Sequence, residues 1–197
     1  PLRLVGSEMC IRDRVSLVSA APLYAADVPA NTPLAPQQVF RYNNHSDPGT
    51  LDPQKVEENT AAQIVLDLFE GLVWMDGEGQ VQPAQAECWE ILDGGKRYIF
   101  HLRSGLQWSD GQPLTAEDFV LGWQRAVDPK TASPFAGYLA QAHINNAAAI
   151  VAGKADVTSL GVKATDDRTL EVTLEQPVPW FTTMLAWPAL FPVPHHV

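Results

Sequence analysis

Asp110, Glu117 and Asp118 stand close enough in sequence to be weighed as an acid and base pair. Such a pair needs an activated nucleophile within reach, and nothing nearby supplies one. Capping and solvation explain the three carboxylates more simply. His195-His196 is the other candidate, as a metal site. Adjacent histidines hold an ion only with further ligands, and no His-x-x-x-His spacing or cysteine pair accompanies them. The chain also has no nucleophile elbow and no phosphate-binding loop. No catalytic residue, cofactor or metal is therefore expected.

The elements around these residues read clearly. Asp110-Gly111 is a turn pair, because glycine tolerates the positive φ of a tight turn. Thr115 followed by Asp118 fits a capping box at a helix start. Phe119, Val120, Trp123 and Val127 recur at helical spacing, and Asp128-Pro129 ends the run. Upstream, Tyr98, Phe100 and Leu102 alternate with Ile99, His101 and Arg103, as a strand does. This strand pairs with residues 89–92 across Asp93-Gly-Gly-Lys96. A clean hairpin comes later, residues 160–164 with 169–174, in which Leu170, Val172 and Leu174 share a face.

Elsewhere the pattern predicts a short strand at residues 39–42. A helix from Thr60-Ala-Ala-Gln63 to Gly71 would carry Ile64, Val65, Leu68, Phe69 and Leu72 on its apolar stripe. Asp76-Gly77 and Glu78-Gly79 mark a hairpin turn. Further helices are predicted over residues 136–143 and 145–153, and a last one opens at Pro177-Val-Pro-Trp-Phe181 and is halted by Pro188. Strands and helices together give the α/β class.

Four ordered blocks carry a resemblance: Phe100-His-Leu-Arg, Trp108-Ser-Asp-Gly, Leu114-Thr-Ala-Glu-Asp-Phe119 and Trp123-Gln-Arg-Ala-Val-Asp-Pro129. Together they resemble the extracytoplasmic oligopeptide-binding proteins of ABC importers, the family 5 solute-binding proteins. The resemblance implies the N-terminal part of a bilobal periplasmic-binding-protein fold. It implies a monomeric periplasmic receptor that binds a peptide between its lobes and delivers it to an inner-membrane ABC permease, without chemical change.

Leu51-Asp-Pro is similar to the motif after which the family's chain passes its ligand cleft in extended form. By that resemblance Glu57 takes the acidic cleft position, and Glu58 and Asn59 continue the contact segment with polar groups where small apolar residues are common. A solvated acidic pair is the plainer reading of Glu57 and Glu58. Ser133-Pro-Phe135 falls where relatives often carry Ser-Pro-Tyr, so Phe135 makes the site more apolar there. Residues 133–136, 144–147, 179–181 and 191–193 resemble the murein-peptide-binding branch. General oligopeptide receptors, and relatives that carry dipeptides, nickel chelates or haem, are the alternatives within the family. A secreted hydrolase domain is the alternative of another class.

A chain of 197 residues can hold one domain or two small ones. Its formal net charge of −10 and pI near 4.8 argue against nucleic acid or an anionic membrane as partner. Residues 1–14 do not fit the rest of the chain and read as non-native sequence. Residues 15–25 read as the tail of a secretory signal. The first lobe is expected to start over residues 26–69. The small second lobe would fill residues 70–194, with residues 195–197 as a cut-off return to the first. Cys10 lies in the doubtful segment and Cys88 stands alone, which suggests no internal disulfide framework.

Overall fold

A computed structural model of the chain describes residue 33, residues 36–37 and residues 39–197. The readings made for residues 1–25 lie outside these. The alternation around Phe100 builds the centre of the fold. Tyr98, Phe100 and Leu102 of strand β4 (Arg97–Leu102) are buried, while their neighbours are half exposed. Strand β3 (Ala86–Leu92) pairs antiparallel with one edge of β4, in a register that sets Trp89 opposite Phe100. Strand β6 (Thr169–Thr173) pairs with the other edge and sets Leu170 opposite Phe100. Strand β5 (Val162–Asp166) completes the antiparallel sheet in the order β3-β4-β6-β5.

Helix α2 (Ala116–Val127) covers this sheet, packing against β5 and β6. Its capping box is formed as the sequence predicts. The Thr115 amide donates to Asp118 Oδ2 at 2.7 Å, and the Thr115 side chain accepts from the N3 amide. Phe119, Trp123, Ala126 and Val127 are completely buried. Each large side chain among them contributes about 1.5–3 kcal/mol of burial. Trp123 spends its one polar group on the Leu190 carbonyl, donating from Nε1 at 2.8 Å. The turn before α2 is also as read: Gly111 sits at φ 85°, and its amide donates to the Trp108 carbonyl at 2.9 Å.

A second, smaller element leads into this body. Helix α1 (Asn59–Leu68) docks through Ala61 and Val65 onto Val56 and Phe191. The two-stranded hairpin of β1 (Val73–Met75) and β2 (Val81–Pro83) comes after it. Helices α3 (Ala136–Gln141), α4 (Ala147–Val151) and α5 (Phe181–Met184) complete the set, all shorter than the sequence pattern predicts.

Several expectations need correction. Residues 39–42 form no strand: no described segment pairs with them, and Phe40 is 87% exposed. Thr60 does not cap α1; Glu58 holds the cap position without a side-chain cap bond. The expected α1 stripe also fails in part, since Leu68 is 62% exposed while Val65 is buried. The last helix ends at Met184, with Leu185 as its cap, before Pro188 is reached, and Pro188 instead starts a short 3-10 turn (Pro188–Leu190). No cysteine among the described residues is a free thiol, so Cys88 does not stand alone. Cys10 lies outside the described residues.

Candidate functional site

The chain reaches the α2 body along residues 51–58 and leaves it along residues 189–197, and the two stretches lie side by side. Asp52 begins the first. Its carboxylate takes a two-pronged bond from Arg125 near the end of α2, Nη1 to Oδ1 at 2.8 Å and Nη2 to Oδ2 at 2.5 Å. That guanidinium holds the Asp52 carboxyl below its usual range against the opposing effect of burial. Asp52 in turn raises Arg125 above its ordinary value. Two residues on, Gln54 is fully buried. Its Nε2 donates to the carbonyls of Ala189 at 3.5 Å and Phe191 at 3.1 Å, and its Oε1 accepts from Arg125 at 2.8 Å.

The same residue reaches the loop before α3. Ser133 Oγ donates to the Gln54 carbonyl at 2.6 Å and accepts from the Phe135 amide at 3.2 Å. Phe135 is half-buried, with its ring centre 5.7 Å from that of Trp187 in an edge-on arrangement. The fold therefore brings the residue 51–56 stretch and the Phe135 loop together. Glu57, Glu58 and Asn59 are exposed where α1 begins. Glu58 accepts from the Gly49 amide at 3.3 Å. Asp52, Gln54 and Arg125 were not singled out by sequence reasoning. Their partners lie 71–137 positions away, a spacing that no local pattern reveals.

The outgoing stretch is held by a second set of bonds. Asp118 is buried, and its Oδ1 accepts from the His195 amide and pairs with His195 Nδ1, both at 2.8 Å. His196 pairs with Asp110 at 2.7 Å. The two histidines thus face separate carboxylates. Backbone bonding from Gln112, then the bond to His196, lowers the Asp110 carboxyl below its usual range.

A cleft of about 1060 Å³ opens beside these stretches, with Leu66, Phe69, Trp74, Trp108, Trp187 and Phe191 in its walls. Two polar atoms of its lining are buried without a partner, Trp108 Nε1 and Gln85 Oε1. One can only donate and the other only accept. Glu57, Glu58, Asn59 and Phe135 do not line it. Trp187 joins it to Phe135.

Residues 80–196 match the family model described as bacterial extracellular solute-binding proteins, family 5 Middle. The chain belongs to that family. The probable deoxycholate-binding periplasmic protein YgiS of Escherichia coli strain K12 is 99% identical over 183 residues, 93% of this chain and 34% of that protein. The periplasmic oligopeptide-binding protein OppA of Salmonella typhimurium is 50% identical over 179 residues, covering 91% of this chain and 33% of OppA. Among solved family 5 structures, the Escherichia coli murein tripeptide binding protein MppA superposes with a TM-score of 0.73 at 46% identity. That match covers 76% of this chain and 29% of MppA. The chain thus spans about a third of the length of the curated relatives it matches. Its fold is part of the bilobal binding-protein architecture. Among the described residues no helix is long and apolar enough to cross a membrane.

Proposed function

We propose that the whole protein is a periplasmic receptor that captures a peptide between two lobes and passes it to an inner-membrane ABC permease. In this reading residues 26–69 begin the first lobe and residues 70–194 form the small second lobe. Residues 195–197 return toward the first, and the receptor acts as a monomer. Binding closes a hinge around the ligand. The observation that carries the reading is the 2.6 Å bond from Ser133 to the Gln54 carbonyl. It joins the two distant stretches that resemble the family's ligand contacts. Glu57, Glu58 and Asn59 are exposed beside one of them, and Phe135 is half-exposed on the other. An extended peptide would gain affinity there mainly from backbone pairing.

A second reading is favoured by the 99% identity to a protein named as probably deoxycholate-binding. The chemistry of the cleft suits it. Walls of Trp74, Trp108 and Trp187 with one unpartnered donor and one unpartnered acceptor match a rigid apolar skeleton bearing a few oxygens.

The test is calorimetry of the full-length protein with a murein tripeptide, with tri-lysine, and with deoxycholate below its micelle-forming concentration. Binding of either peptide at about micromolar or tighter, near −8 kcal/mol, supports the peptide receptor. Equal affinities, or a preference for tri-lysine, remove the murein branch and leave the general receptor. Deoxycholate binding with neither peptide bound overturns the first reading in favour of the second.

A further inference from the structure

Gln54 has no exposed surface, and all four of its polar groups are used. Its amide donates to Asp52 Oδ1 at 3.1 Å, and its carbonyl accepts from Ser133 at 2.6 Å. Its side chain is oriented without ambiguity. Arg125 can only donate, so the glutamine oxygen must face it, and the NH2 group is thereby aimed at the carbonyls of Ala189 and Phe191. An apolar side chain of similar size would fill the same space without needing the three side-chain partners. What the amide adds is direction. The side-chain amide reaches an outgoing stretch 135 and 137 positions ahead, and so steadies the Gln54 backbone carbonyl that accepts from a loop 79 positions ahead.

We infer that Gln54 is a positioning residue that holds residues 57–59, the Phe135 loop and the outgoing stretch in one arrangement, so that Phe135 is presented to ligand correctly. The mechanism runs through three linked steps. Arg125, fixed on α2 and paired with Asp52, orients the Gln54 amide. Gln54 then fixes Ser133, and Ser133 fixes the Phe135 backbone amide. Phe135 stacks edge-on against Trp187, two residues before the Ala189 carbonyl that Gln54 also holds. The ring pair is therefore set from both sides by one residue, through its backbone carbonyl on the Phe135 side and its side chain on the Trp187 side. The effect on affinity rests on the receptor reading above; the order imposed on the three stretches does not.

The experiment uses the full-length protein with Gln54→Met, which keeps volume and the backbone carbonyl but loses the side-chain amide, and Ser133→Ala, which removes the bonds to the Gln54 carbonyl and from the Phe135 amide. Hydrogen exchange of the ligand-free protein is followed in peptides covering residues 57–62 and 133–138. The expected result is exchange about tenfold faster in both regions for Gln54→Met, and in the second for Ser133→Ala, with β4 and β6 unchanged. Affinity is read with a murein tripeptide, with tri-lysine and with deoxycholate, using whichever the wild type binds. Gln54→Met should weaken it about tenfold and Ser133→Ala about threefold. A lower urea midpoint with wild-type exchange in both regions would mean a merely structural glutamine, and the inference fails. Altered exchange with unchanged affinity overturns the link to ligand. If the wild type binds none of the three probes, the receptor reading falls and exchange alone decides the positioning claim. If Gln54→Met does not fold, Ser133→Ala decides by the same two measurements, and wild-type values in both overturn the inference.

Discussion

Two buried or half-buried carboxylates, Asp52 and Asp118, each fix a passage of the chain onto α2, and each makes a prediction. Replacing Arg125 with Ala leaves Asp52 facing a partly buried space without its two-pronged partner. A loss of about 1–2 kcal/mol in urea unfolding at pH 7 is expected, discounted for the partial exposure of both groups. The folded-state pKa of Asp52 is depressed, so its contribution is present above the unfolded value of about 3.9. It is lost as pH falls through the folded value, and the variant should therefore converge on the wild type in acid. Lysine at position 125 keeps the charge but not the fork, and should recover only part of the loss. Asp118→Ala is the stronger case, because it strips partners from both Thr115 and His195. Loss of a cap and of buried bonds sums to about 2–3 kcal/mol, measurable by urea unfolding at pH 7. The cap was legible in the spacing of Thr115 and Asp118. His195 was not, since 77 positions separate it from Asp118.

Among the elements, α2 and the sheet were readable because each buries a face against the other. Period-two alternation in β4 and β6 and helical spacing in α2 both report such one-sided burial. Helix α1 misled for the same reason. Its apolar residues wrap more than one face, and only Ala61 and Val65 are buried against the described fold. Residues 39–42 have strand-like composition, yet a strand exists only through a partner, and composition names none. The close approach of α2 to the outgoing stretch was equally hidden. A Cβ added at Gly122 would lie 2.7 Å from the Phe191 carbonyl oxygen, a backbone atom that cannot swing aside. Alanine there gains up to about 1 kcal/mol of helix propensity. Displacing the packed backbone costs about 1–3 kcal/mol, so the net effect is destabilising. Thermal unfolding should show a lower midpoint for Gly122→Ala, and a raised midpoint would contradict this packing.

The chain spans about a third of the length of YgiS and of OppA. The surface of the described residues carries several large exposed apolar groups. Trp74 is 51% exposed, and Leu66, Leu68 and Trp187 are also exposed. Residues 39–197 produced alone should bind a fluorescent apolar dye more strongly than the full-length protein. They should hold tri-lysine or deoxycholate no better than about millimolar, roughly −4 kcal/mol, because one side of the ligand stays in water. Micromolar binding by residues 39–197 in calorimetry would show that this part suffices. The sequence signalled the family through its ordered blocks, but the identities of 50% to OppA and 46% to MppA do not divide the general from the murein branch.

The bond between Gln54 and Phe191 also says something about connectivity. Residues 137 positions apart lie within hydrogen-bond reach, so the chain enters and leaves this body through one doorway. Closing so long a loop costs only about 4 kcal/mol of chain entropy, because the cost grows with the logarithm of length. A body entered and left at one point can be spliced into a host chain, or lengthened internally, without moving the host's own ends. It can also be reopened elsewhere. A circular permutant with new termini at the exposed Glu78-Gly79 turn, and a short linker bridging the doorway, should keep the near-ultraviolet signature of buried Trp89 and Trp123.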